Sequence, residues 1–205
     1  ARDLGNIYLE NRKPKIPQQV VYVPYLVLRD AWHVARYTNL NRFQITVQNV
    51  SRVNPDVSNA HLHSHSYALA IALAGSPIFF QETTLLSQDA RREIRTLLAH
   101  YRRERARMFG QYVFAIGDEP DDASWPGFQT WDPVARAGYL LIYRELNSKE
   151  TLREVLLRFL SGATLELTDV LDSNSRRQRV SSTGKLTVGL DQPASFTWLR
   201  YQVAS

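Results

Sequence analysis

Cysteine is absent from the 205 residues, so neither a disulfide nor a thiolate-bound metal can form. That absence leaves the compartment open, because a secreted chain need not carry disulfides. No stretch approaches the run of about 18 apolar residues that a membrane-spanning helix requires. Ala1-Arg2-Asp3 lacks the positive-then-apolar pattern of an export signal, so no membrane partner is expected. Neither a glycine-rich phosphate loop nor a Gly-Xaa-Ser-Xaa-Gly nucleophile elbow occurs, which removes the usual nucleotide and esterase readings. Lysine is scarce as well, 4 residues against 21 Arg, within a formal net charge of +5. The surplus is spread evenly: 15 basic and 12 acidic residues up to Gly127, then 10 and 8 after it. The densest basic run, Arg91 to Arg107, is interleaved with Glu93 and Glu104 and preceded by Asp89. It reads as a solvated helix face, and no nucleic-acid partner is expected.

What is present is an ordinary globular composition, 44% hydrophobic and 11% aromatic, long enough to bury a core. Asn6-Ile7-Tyr8-Leu9 predicts a short buried strand that runs out into Glu10-Asn11-Arg12, after which Pro14 and Pro17 forbid regular structure. Pro24 opens a helix, and Phe43 to Gln48 predicts a second strand, ending in a polar loop that begins at Asn49. A small-residue apolar helix over Tyr67 to Ala74 is stopped by Gly75-Ser76-Pro77. The third strand, Ile78-Phe79-Phe80, again ends in polar residues, Gln81 and Glu82. Ser87 is the candidate N-cap of a long helix over 88–108, with Ile94, Leu97, Leu98, Tyr101 and Met108 as its apolar stripe. Strand and helix alternating in this way build a parallel sheet with helices packed outside it. A whole (β/α)8 barrel takes about 250 residues, so the units here amount to a segment of one.

Past Gly127 the pattern becomes short β-rich runs, over 138–145, 154–160, 163–167, 185–190 and 195–203, separated by turn residues. That spacing predicts an antiparallel β-sandwich. The expected fold class is therefore α/β followed by all-β, a partial (β/α) barrel over residues 1–127 and a sandwich over 128–205. The seam is placed in Asp118 to Gly127, although Tyr112-Val113-Phe114 ahead of it could already be β.

Glycoside hydrolysis needs two carboxyls flanking the scissile bond, and in barrel enzymes they stand where strands run out into loops. Glu10 and Glu82 both occupy such positions, and either could equally be a structural carboxylate paired with arginine. Asn11, Arg12, Asn49 and Arg52 lie on the same loops and could serve sugar hydroxyls. Trp125, Phe128 and Trp131 cluster at the seam, where an aromatic ring could stack on a sugar or fill the space between two layers. His61, His63 and His65 alternate in His-Leu-His-Ser-His, but histidines ahead of a helix more readily serve its free backbone groups than a metal, and no cofactor is expected.

Taken in order, several segments together resemble the C-terminal part of the clan D alpha-galactosidase-like glycoside hydrolases. They are Gly5 to Arg12, Pro24 to Tyr37, the small-residue helix into Gly75-Ser76-Pro77, Ser87 to Arg105, and Gly138 to Arg144. The resemblance implies a retaining exo-glycosidase whose nucleophile is an Asp on the fourth barrel strand and whose acid/base is an Asp after the sixth, within a Ser-Asp-Asn type sequence. Leu9-Glu10-Asn11 falls at that second place, which nominates Glu10 as acid/base, with Glu standing where the family has Asp. The nucleophile strand has no counterpart here, so the resemblance further implies that the chain alone is inactive and that its partners are the remainder of the barrel and a carbohydrate. A non-catalytic carbohydrate-binding or assembly module is the alternative.

Overall fold

The structure, a computed structural model, describes residues 8–9, 22–79 and 83–204. Its N-terminal layer is a parallel three-stranded sheet in the order β1 (Tyr8–Leu9), β2 (Gln44–Val47), β3 (Ser76–Phe79). Leu9 lies opposite Ile45 and Ile45 opposite Pro77, so strands expected to be parallel neighbours are so in the described residues. Helix α1 (Pro24–Val34) begins with a proline at its first turn, where a missing N–H costs nothing, and buries Val27, Leu28 and Ala31. Helix α2 (His65–Ala72) is capped by Ser64, whose hydroxyl accepts from the Tyr67 N–H at 3.0 Å, and is buried from Tyr67 to its end. Alanines at 68, 70 and 72 keep its girth small enough to lie against α1, β2, β3 and α3 together. Helix α3 (Gln88–Phe109) is capped by Ser87 as expected and buries Ala90, Ile94, Leu97, Tyr101 and Met108 along one stripe.

Gly75, predicted only as a helix stop, has a second task. A Cβ there would stand 2.9 Å from both the Ile45 Cδ1 and the Phe43 carbonyl oxygen, and its own carbonyl accepts from the Tyr101 hydroxyl at 2.9 Å. The turn from α2 into β3 can pass this close to β2 only because residue 75 has no side chain.

The rest of the chain is antiparallel. Strands β4 (Tyr112–Gly117), β5 (Pro126–Trp131), β6 (Ala137–Arg144), β8 (Thr164–Asp169), β9 (Ser175–Arg179) and β11 (Ser195–Val203) form one sheet, ordered β4-β5-β6-β11-β8-β9. The sheet therefore starts ahead of Gly127, at Tyr112. A two-stranded sheet of β7 (Leu152–Leu156) and β10 (Lys185–Gly189) covers one of its faces and completes a sandwich. Val155, Leu186 and Val188 meet Leu140, Ile142, Leu165, Leu167 and Leu199 there. The opposite face presents Tyr139, Leu141, Tyr143 and Trp198 to the core that the helices share. Both faces of β6 are thus dry, which explains its unbroken apolar run in place of alternation.

Polar groups join the layers at specific atoms. The Tyr143 hydroxyl donates to the Ala70 carbonyl at 2.8 Å, Trp32 Nε1 to the Ile116 carbonyl at 2.9 Å, and the Tyr139 hydroxyl to Glu104 Oε2 at 2.6 Å. The loop between β4 and β5 is fastened to the end of β6 by Glu145, which is 1% exposed. Its Oε2 accepts from the Asp121 N–H at 3.0 Å and from the Ser124 N–H and hydroxyl at 2.9 Å each. Its Oε1 is buried with no partner, and burial raises the carboxyl to a pKa of about 7 against the opposing pull of those hydrogen bonds.

Two outcomes are expected. Gly75→Ala should lower the unfolding free energy by about 1–3 kcal/mol, the usual cost of overpacking against unyielding backbone, read as a lower urea midpoint at unchanged slope. The Glu145 pKa is raised on folding, so its contribution to stability is whole below about pH 4.5 and is lost as pH rises through about 7. The loss is at most about 3 kcal/mol by pH 8. Thermal melts from pH 5 to 8 should therefore fall near neutrality, and Glu145→Gln should flatten that fall; a profile unchanged by the substitution would exclude Glu145 as its source.

Candidate functional site: the strand-end shelf

Parallel strands deliver their C-terminal ends to one side, and in such sheets the loops there carry the chemistry. After β2 the chain enters that side through Gln48 and Asn49, which are 8% and 6% exposed. Asn49 acts as a bracket. Its Nδ2 donates to the Leu85 carbonyl at 3.3 Å, and its Oδ1 accepts from the Ser51 N–H at 3.1 Å. The same oxygen meets His65 Nε2 at 3.1 Å. One side chain thereby ties the loop after β2 to the loop after β3 and to the start of α2.

An amide oxygen can only accept, so the neutral His65 ring carries its proton on Nε2 and presents Nδ1 as an acceptor. Burial lowers the His65 pKa and the nearby Glu93 carboxylate opposes that shift. Glu93 itself reaches back from α3, with Oε2 accepting from the Ser66 N–H at 3.1 Å. The shelf thus holds a neutral imidazole, a carboxylate and a buried amide around the first turn of α2. Arg52 stands exposed beyond it.

The expected site residues fare differently. Glu10, Asn11, Arg12 and Glu82 lie outside the described residues. Asn49 is at the strand end as expected, with three of its hydrogen-bonding positions spent on the protein. Trp125 is 1% exposed in the sandwich core, its Nε1 donating to the Ser148 hydroxyl at 2.9 Å, and Phe128 is 2% exposed on the other face. Trp131 alone of that aromatic group reaches the surface in part.

The three histidines part company. His61 is exposed, His63 lies against the Tyr67 ring at 5.1 Å with Nδ1 3.1 Å from the Asn59 carbonyl, and His65 faces Asn49. Among the described residues no group of three or more His, Cys, Asp or Glu is arranged to hold a metal ion. Sequence reasoning passed over His65 and Glu93 as a pair because they belong to different helices. A histidine directly after the Ser64 cap, near a strand end, was the available signal.

No protein-family model and no curated protein matches the sequence. Solved structures do resemble the fold. The galactosidase domain of an alpha-galactosidase-sucrose kinase superposes with a TM-score of 0.68 at 12% identity, over 88% of this chain and 25% of that one. The alpha-galactosidase from Lactobacillus brevis gives 0.56 at 11%, over 82% and 23%. A noncanonic maltogenic alpha-amylase from Thermotoga neapolitana gives 0.51 at 14%, over 88% and 50%. The chain thus spans about a quarter of the length of the alpha-galactosidases it matches. At these identities the likeness is one of architecture, and the architecture of this chain is that of the C-terminal portion of GH36 alpha-galactosidases.

Proposed function

We propose that the chain is the C-terminal portion of a retaining alpha-glycosidase of the alpha-galactosidase type, removing terminal sugars from oligosaccharides or glycoconjugates. In this reading residues 1–127 supply the last strand–helix units of a (β/α)8 barrel and residues 128–205 the sandwich that braces it. One observation carries the proposal: three short strands, adjacent and parallel, with their C-terminal ends opening on a common shelf and a sandwich packed behind the helices. A barrel sheet closes on itself, whereas among the described residues this one ends at β1 and β3, which supports a reading in which the partner would be the remainder of the barrel, in the same parent chain or in another subunit.

The roles follow from what the reaction needs. Glu10, directly beyond β1, would give a proton to the departing glycosidic oxygen and later take one from water. The carboxylate nucleophile would come from the missing part. Asn11, Arg12, Arg52 and Glu82 would hold sugar hydroxyls, and Asn49 would keep the two loops in register beneath them.

The purified 205-residue chain should release no nitrophenol from an aryl alpha-galactoside, and turnover by the chain alone would overturn the proposal. In the longer protein, Glu10→Gln should slow cleavage of an alkyl-linked oligosaccharide by about a hundredfold or more. The loss on the aryl substrate should be smaller, since a nitrophenolate leaves without a proton; equal losses on both would remove Glu10 from the acid role.

A further inference from the structure

At the end of the sheet where α3 hands over to β4, several aromatic side chains come to the surface together. Trp131 is sandwiched: its ring stacks on Tyr201 at 6.4 Å and 11°, and on Phe159 at 6.1 Å and 25°. Phe159 meets Phe114 edge-on at 5.6 Å, and the Arg158 guanidinium lies 5.4 Å over the Phe114 ring. Tyr112, directly across the strands from Trp131, continues the same face. Phe159 and Tyr112 are 65% and 69% exposed, so the outermost rings of the group meet water.

This exposure is built into the backbone. Phe159 has a φ of 65°, in the left-handed region that an aromatic residue seldom enters. What holds it there is Gln129, which is 0% exposed. Its Nε2 donates to the Arg158 carbonyl at 3.0 Å and to the Tyr201 hydroxyl at 3.1 Å, while its Oε1 accepts from the Arg158 N–H at 2.8 Å. A buried amide thus grips both backbone groups of the preceding residue and turns the next ring outward onto Trp131. Hydrophobic burial alone would have turned that ring inward.

We infer that Phe159 and Tyr112, backed by the Trp131 stack and flanked by Arg158, form a surface platform for a pyranose ring of an oligosaccharide. The C–H face of a sugar lies on an aromatic face fixed in advance, and its hydroxyls find the Arg158 guanidinium and the Tyr112 hydroxyl at the rim. Because the rings are already held, little conformational freedom is lost on binding. The choice of a carbohydrate ligand rests on the glycosidase reading. The binding itself does not, since the platform lies at the far end of α3 from the strand-end shelf.

The test is calorimetric titration of the 205-residue chain with raffinose and with maltotriose at millimolar concentrations, alongside Phe159→Ala and Tyr112→Ala. Saturable heat with at least one sugar is expected, weakened at least tenfold by Phe159→Ala. Tyr112→Ala should weaken the same sugar. Absence of sugar heat, or heat that Phe159→Ala leaves untouched, overturns the inference. So does sedimentation that finds a dimer dissociated by Phe159→Ala, which would make the patch a contact between copies. Failure of the catalytic reading is separately visible, as nitrophenol release by the chain alone.

Discussion

The constraint on which the molecule turns is that β6, inside the six-stranded sheet, is dry on both sides. Strand β6 sends Tyr139, Leu141 and Tyr143 into the core shared with the helices and Leu140 and Ile142 into the sandwich. Neither layer can form its interior without the other, because each lends one wall of the same sheet. The tyrosines facing the helices could not be replaced by plain hydrocarbon at no loss: the Tyr143 hydroxyl closes on the Ala70 carbonyl and the Tyr139 hydroxyl on Glu104. Apolar bulk drives the contact and those two hydroxyls fix its register.

Much of this was legible in advance where periodicity or a cap is strong. The stripe of α3 and its Ser87 cap, the proline start of α1, the apolar run of β6 and the β-rich run of β11 all stand out. Strand β5 was concealed because Pro126-Gly127 reads as a turn, yet Gly127 lies in the ladder opposite Ile142. Strand β9 was concealed for the opposite reason. Ser-Arg-Arg-Gln-Arg has no apolar residue to betray it, and it is held at the sheet edge by backbone pairing with β8 and by the Arg177 to Glu166 ion pair. No local pattern announces an edge strand of that composition.

The strand-end shelf shows a similar division. That polar residues would follow β2 was evident from the sequence. Which of them are structural was not, because the bonds of Asn49 run to Leu85 and His65, residues remote along the chain. The aromatic group at 125–131 illustrates the same limit. Two tryptophans six positions apart and of equal chemistry end up in unlike surroundings, Trp125 in the sandwich interior and Trp131 beneath Phe159. Both stand on the sandwich side, and position along the strand separates them: Trp125 lies just ahead of β5 in the interior and Trp131 closes it at the rim, and the strand itself could not be seen.

The place of β11 in the sheet has a bearing on how the molecule comes to be. It is the last strand described, yet it sits in the interior, hydrogen-bonded to β6 on one flank and β8 on the other. On a ribosome the hairpin series β4–β5–β6 and the pair β8–β9 therefore emerge as two pieces with no backbone ladder between them. Both hold an unzipped margin until the final segment arrives and closes the gap. Such a topology makes assembly late and non-local, and leaves a nascent chain most open to mispairing just before synthesis of this region ends.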